Sequence, residues 1–515
     1  MALAVGLLIV VVIGAILRAA ADHPAAYSSR IDLWHLLRMT TIQAGLTTLI
    51  SLAVGIALAW ALNRLRFPGR DLIVGLFASA IVTPGIVVAF GLLAVWGRSG
   101  WASDLWQALT GEALNVPIFG LAGILAAHVI LDGTFAARVL LARLDTVPER
   151  RLKTGQSLDL TAWQRFTIID WSMLRGALPG LGAIIFMLAF TSFPIVLLLG
   201  GGPANQTLEV AIYTAASLDF DLTGAVRLAM TQIAVCSAII LASAAFSPVS
   251  ATIGRSPPTR WRDRPLARAL QWLVLVVATI GFVAPLLAVL ADGIGPHVLE
   301  LVTRDSFRLS LLTSLAIGSA SACLTLVLAL IVGLGRAAAP GRVARIIFGA
   351  PAYAYLAVPA VVLALGFFLF VRELGIAPTL AAPVIVVIAN ALLSLPFALA
   401  TLGPPLDAIV RSRGRLVRAL GLSSWRQFVD VEYPLIGRDI GLVIALGFCF
   451  SLGDLGVIAL FGTQDFQTLP LLMYRALGGY RSNDAATIAA LLLILTIAAF
   501  ILLPRLFTRS TNAPA

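Results

Sequence analysis

SLDLTAWQRF, Ser157–Phe166, is a polar island in a very apolar chain, and it returns further on as ALGLSSWRQF, Ala419–Phe428. Outward from this pair the two halves of the sequence align. Under one constant offset His128 pairs with Asn390, Leu144-Asp145 with Leu406-Asp407, Trp163 with Trp425 and Phe166 with Phe428. Upstream, LTTL (46–49) matches LTSL (312–315), FPGR (67–70) matches APGR (339–342), and TPGIVVAFG (83–91) matches VPAVVLALG (358–366). Downstream, QTL recurs at 206–208 and 467–469. Chance apolar similarity does not keep register across loops, so the chain is an internal duplication.

Only 12% of the 515 residues are charged, 60% are hydrophobic, and the mean hydropathy is +0.98. A soluble chain carries about 25% charged residues, so lipid must be the solvent here. The net charge of +11 is nearly all arginine, Lys153 being the only lysine. These arginines sit in short loops between apolar runs, the pattern of membrane topology rather than of a nucleic-acid-binding face. Cys236, Cys323 and Cys449 lie far apart, and His23, His35, His128 and His297 have no metal-ligand spacing. No disulfide, metal or cofactor is expected.

Runs long enough to cross a ~30 Å hydrocarbon core recur twelve times. They fall near 2–19, 43–63, 71–96, 118–142, 178–199, 226–248, 269–292, 309–334, 346–370, 380–402, 440–461 and 485–504. The first lacks a basic n-region and is too long for a signal peptide, which favours a retained helix; the abrupt beginning inside it leaves a longer natural N-terminus open. The fold class is therefore all-α polytopic, with two fused six-helix halves. An even number of spans inserts both halves the same way round, about an axis along the membrane normal. With the N-terminus inside, roughly 25 of the 36 basic residues face the cytoplasm, which orients both chain ends there and suits a bacterial inner membrane.

Both islands fall in the longest cytosolic loop of their half, 143–177 and 404–438. Each reads as a short helix, a turn at Asp159 or Gly421, and a second short helix. Trp163 with Phe166, and Trp425 with Phe428, share a helical face at i and i+3 and make an apolar knob rimmed by Arg165 or Arg426. Such a knob either packs on its own helix ends or docks on a partner; two matched copies in one compartment favour a twofold partner with pockets for aromatic anchors. A Walker A loop requires Gly-Lys before Ser or Thr, and Lys153 follows Leu152. ATP chemistry must then belong to another subunit.

These loops resemble the EAA motif of ATP-binding-cassette importer permeases, in which a glycine turn seats a coupling helix in the ATPase subunit. Gly421 matches that glycine. Asp159 departs from it, as does Lys153-Thr154-Gly155 where the motif begins Glu-Ala-Ala, but Asp tolerates a left-handed turn better than most residues. Longer stretches, LLLGGGPANQTLEVAIYTAASLDFD (197–221) and SLGDLGVIALFGTQDFQTLPLLMYRALGGYRSNDA (451–485), are similar to the fused permeases of thiamine importers, as are LWHLLR (33–38), RFPGR (66–70) and WGRSGW (96–101). The resemblance covers nearly the whole chain; fused ferric-iron permeases share the twelve-span plan and are the nearest alternative. It implies a transport subunit rather than an enzyme, an ATP-binding subunit dimer, a periplasmic thiamine-binding protein, and thiamine or one of its phosphates as substrate. It also implies a division into an N-terminal helix and periplasmic segment (1–38), a first permease domain (39–248), a basic linker with the seventh helix (249–306), a second permease domain (307–505) and a cytosolic tail (506–515).

Ionisable groups inside spans require a reason. Asp454 lies in an apolar run and its repeat partner is Phe193, so this acid occurs once. It either offsets the desolvation of thiamine's permanent thiazolium charge or holds a helix break through nearby backbone amides at Gly453–Gly456. Asp132, His128 and Asn390 are further pathway candidates, with a satisfied place between helices as the alternative. Glu209, Asp219, Asp221, Asp465 and Asp484, with Tyr213, Tyr474 and Tyr480, read as outer-loop residues, solvated or meeting a binding protein. Two rivals fit worse. Secondary transporters with six plus six spans join their halves by one long central loop, whereas here a long loop lies inside each half. An intramembrane aspartyl protease would pair Asp132 with Asp454, but SLGD (451–454) lacks the first glycine of GxGD and the two acids are not repeat partners.

Overall fold

The computed structural model describes residues 2–22, 32–243, 263–339, 341–419, 421 and 423–507. The linker Pro257-Pro258, Arg255, Arg260 and Arg262, the end of the sixth run, the last eight residues, and the side chains of Arg342, Arg415 and Arg418 lie outside the described residues. Within the described residues every regular element is a helix. The bilayer accounts for this, because a helix satisfies its own backbone where no water can.

Nine helices are long and apolar enough to cross a membrane among the described residues, or eleven when two bent pairs each count as one span. The twelfth expected run, 2–19, lies in the Ala2–Asp22 helix, whose apolar part Val5–Ala21 is shorter. The runs expected at 71–96 and 346–370 each break at the repeated proline. Arg70–Ser79 is followed by a 3-10 turn, and a new helix starts at Gly85 after Pro84; Gly341–Tyr353 gives way likewise to Ala360–Glu373 after Pro359, with a 100° bend. Proline lacks the N–H that would continue the ladder and pushes the preceding residue, here Thr83 or Val358, into extended backbone.

The chain forms two compact units. One comprises Asp32–Thr207 and Cys236–Asp292. In it the Leu33–Arg64 helix lies so close to Leu121–Leu144 that a Cβ on Gly55 would stand 2.5 Å from the Ala136 Cβ. Lipid removes the hydrophobic drive between helices, so close approach over small residues supplies the packing. The Pro265–Gly293 helix crosses Gly85–Trp96 at Gly91, where a Cβ would lie 2.5 Å from the Pro285 carbonyl oxygen.

The other unit comprises Met1–Ile31, Leu208–Val235 and Gly293–Ala515. There Asp305–Ala338 packs on Pro378–Ala419 and on Tyr433–Leu452, and the last of these packs on Ser482–Leu506 over Gly441. Ala2–Asp22 crosses Ala360–Glu373 at Gly366, where a Cβ would stand 2.3 Å from the Val12 Cγ1. Gly91 and Gly366 are repeat partners. Each half of the sequence thus receives the first helix of the other half on the same glycine.

Candidate functional site

The two loops that carry the polar islands are built on matching foundations. At the end of Leu121–Leu144, Asp145 accepts a hydrogen bond from Asn63 Nδ2 at 3.2 Å; its repeat partner Asp407 accepts one from Arg336 Nη2 at 3.0 Å. Burial pushes the Asp145 carboxyl above its ordinary range, against the pull of Arg70 and of that hydrogen bond. From this root copy one proceeds as expected, with a separate short helix Glu149–Ser157. Copy two corrects the expectation, since its first short helix is the end of one 42-residue helix, Pro378–Ala419. Pro148 stands before the separate helix in copy one, whereas Val410 occupies its repeat position.

Asp159 and Gly421 both turn the chain through left-handed backbone, with φ of +46° and +57°. In copy one the Leu160 N–H reaches back to the Gly155 carbonyl at 3.3 Å, which closes the helix end around that residue. The next helix starts on a capping box: Thr161 Oγ1 accepts the Gln164 N–H at 3.3 Å and Gln164 Oε1 accepts the Thr161 N–H at 3.0 Å. Trp163 then stacks on Phe166 with ring centroids 5.9 Å apart, and Trp425 meets Phe428 at 6.2 Å. The tryptophans are 72% and 73% exposed. Large apolar rings left this open, twice, are available to a partner rather than committed to the chain's own packing. Each knob is followed by a π-helical turn, Phe166–Asp170 or Gln427–Glu432.

The arginines part company. Arg426 is exposed, but Arg165, expected on the rim, is fully buried. Its Nη1 lies 3.6 Å from Asp263 Oδ1, and Asp263 also sits 3.8 Å from Arg64 Nε and accepts from Gln271 Nε2 at 2.7 Å. Arg64 in turn pairs with Asp170. This four-ion cluster ties the Ala162–Arg165 helix and the π-helical turn after it to the end of Leu33–Arg64 and to the start of Pro265–Gly293. The true repeat partner of Arg165 is Gln427, which donates to Glu432 Oε1 at 2.7 Å, a local bond within the π-helical turn in place of the link to another helix.

The pathway candidates divide between the two units. His128 and Asp132 are buried one helical turn apart, with Nδ1 3.5 Å from Oδ2. Asn390 donates to Ser451 Oγ at 2.9 Å, and Ser451 to Ser321 Oγ at 3.2 Å. The Asp454 carboxylate accepts the backbone N–H groups of Gly456, Val457 and Ile458 at 3.0–3.4 Å. Those amides open the Ile458–Phe461 turn, so the helix-break geometry is present, and Asp454 as a residue is half-buried. Among the outer-loop residues, Tyr480, Asp219 and Asp465 are exposed. Glu209 is not: its side chain is fully buried on Leu208–Tyr213, which corrects the solvated reading. Its position directly after QTL hid it, since the motif reads as a loop until the helix is seen.

The chain is 36% identical over 487 residues to the thiamine transport system permease protein of Escherichia coli, covering 93% of this chain and 90% of that protein. It is 34% identical over 478 residues to the thiamine transport system permease protein of Brucella melitensis, covering 92% and 88%. A shorter match, 29% over 176 residues, links 34% of the chain to 76% of the molybdenum transport system permease protein of Azotobacter vinelandii. No family model matches the chain.

Proposed function

This chain belongs to the family of thiamine transport system permease proteins, and on that premise we propose that it is the membrane-spanning subunit of an ATP-driven thiamine importer. Two permease domains, 39–248 and 307–505, form the pathway. Thiamine arrives on a periplasmic binding protein, and two ATP-binding subunits grip the loops on the cytoplasmic face, where both chain ends lie. The observation that carries this reading is the pair of open tryptophans, Trp163 and Trp425, on equivalent helices behind equivalent left-handed turns. Asp159, Phe166, Gly421, Arg426 and Phe428 shape or flank the knobs. Asp454, Asp132, His128 and Asn390 are the candidates along the pathway.

The test is co-purification with the ATP-binding subunit and radiolabelled thiamine uptake. Aromatic anchors of this kind are worth about 2 kcal/mol or more, roughly 30-fold in affinity, so Trp163→Ala and Trp425→Ala should each release the ATP-binding subunit and depress uptake. The chain purified alone should not hydrolyse ATP. Full capture and full uptake in both variants would overturn the docking assignment.

A further inference from the structure

The fully buried Glu209 carboxylate is not explained by either loop or by the root contacts. It accepts a hydrogen bond from Gln232 Nε2 at 3.3 Å and faces the backbone N–H of Val361, at the start of the Ala360–Glu373 helix. Its other oxygen, Oε2, has no hydrogen-bond partner, and neither has Gln232 Oε1 beside it; both side chains are completely buried. Two buried oxygen atoms thus go without a hydrogen-bond partner. Leaving such groups unmade is costly in any interior and more so at membrane depth.

A second acid stands nearby. Asp454 lies close enough to act electrostatically on Glu209. A Cβ on Gly456 would stand 3.7 Å from both Asp454 Oδ1 and Val361 Cγ2, so Asp454 lies near the same helix start whose Val361 N–H Glu209 faces. Among the described residues neither has a Lys, Arg or His partner within 4.0 Å. The repeat makes the pairing asymmetric: Glu209 answers to Pro470, and Asp454 to Phe193. Each half supplies one acid that its copy lacks.

We propose that Glu209 and Asp454, with the Gln232 carbonyl, form a cation-holding site for the substrate, one acid from each half of the chain. The inference rests on the thiamine-import reading and names the charge partner of the thiazolium. Glu209 supplies the occluded end of the site, and Asp454, partly exposed, supplies the open end. A monovalent organic cation between them gives both unmet acceptors an electrostatic partner and relieves the repulsion between the acids.

The experiment uses the whole complex, with ATP-binding subunits and binding protein, in proteoliposomes. Glu209→Gln keeps the size and hydrogen bonding of a glutamic acid without its charge. It should lower thiamine uptake at least tenfold while ATP hydrolysis stimulated by the binding protein stays within about twofold; Glu209→Asp should recover much of the uptake, and Asp454→Asn should match Glu209→Gln. Wild-type uptake in Glu209→Gln would overturn the site. Should Glu209→Gln fail to assemble, the wild-type complex decides: thiamine should protect Glu209 from labelling by a hydrophobic carbodiimide, and labelling unchanged by thiamine would overturn the site equally. A wild-type complex that imports no thiamine would sink the importer reading instead.

Discussion

Arg165 and Arg426 carry the same chemistry in almost the same sequence context, yet they do opposite things. Arg165 is sealed among Asp263, Asp170 and Arg64, while Arg426 faces outward. Removing one member of a buried ion pair strands the other, at a cost of about 3–5 kcal/mol, whereas an exposed arginine of this kind contributes at most about 1 kcal/mol. Arg165→Ala should therefore lower the thermal unfolding midpoint of the detergent-solubilised chain markedly, and Arg426→Ala should leave it nearly unchanged. Equal shifts would contradict the inward assignment. Read from sequence, both arginines belong to the knob's rim. The one-residue slip that makes Gln427 the partner of Arg165 is visible in the alignment, but Asp263, the acid that draws Arg165 inward, lies across nearly a hundred residues of chain.

At the scale of the element, the left-handed turn was legible and the helix in front of it was not. Glycine adopts positive φ without cost and other L-residues give up ~1–2 kcal/mol, Asp less than most. With no described residue within 4 Å of a Cβ on Gly421, Gly421→Asp should cost about 1 kcal/mol, and Asp159→Gly should be close to neutral, because relief of strain is offset by the greater freedom of glycine in the unfolded chain. Gly421→Val, β-branched, should be the most damaging of the three. Capture of the ATP-binding subunit by each variant reads the order; equal losses for Gly421→Asp and Asp159→Gly would refute it. The 42-residue helix ahead of Gly421 runs through Pro383, Pro396, Pro404 and Pro405, and no local rule anticipates that four prolines leave it unbroken while a separate helix begins after Pro148 in its counterpart. Packing against Asp305–Ala338 and Tyr433–Leu452 supplies what the prolines remove.

For the whole molecule, the exchange of first helices is the organising fact. Ala2–Asp22 rests on Gly366 and Pro265–Gly293 on Gly91, in each case with no room for a side chain. Forcing a large residue into such a crossing costs typically 1–3 kcal/mol, so Gly91→Leu and Gly366→Leu should each reduce stability and thiamine uptake, to a similar degree because the crossings are equivalent. Thermal unfolding of the two variants checks this; wild-type stability in both would mean that the crossings are not tight. A purely local view would place neither glycine in contact with a helix some 200 residues or more away in sequence.

The amino-acid sequence by itself determined the solvent, the helical class, the duplication, the two left-handed turns and the lack of a Walker A loop, because each follows from composition, spacing or a short motif read along the chain. Tertiary structure alone decided that Arg165 points inward, that the first helices change places, and that Glu209 is buried on a helix against Gln232. The physical reason is common to all three. In lipid, apolar residues fit equally well against any neighbour, so hydropathy does not say which helix meets which; close steric fit over glycines and the pairing of buried charges make that choice, and both join residues from distant parts of the chain.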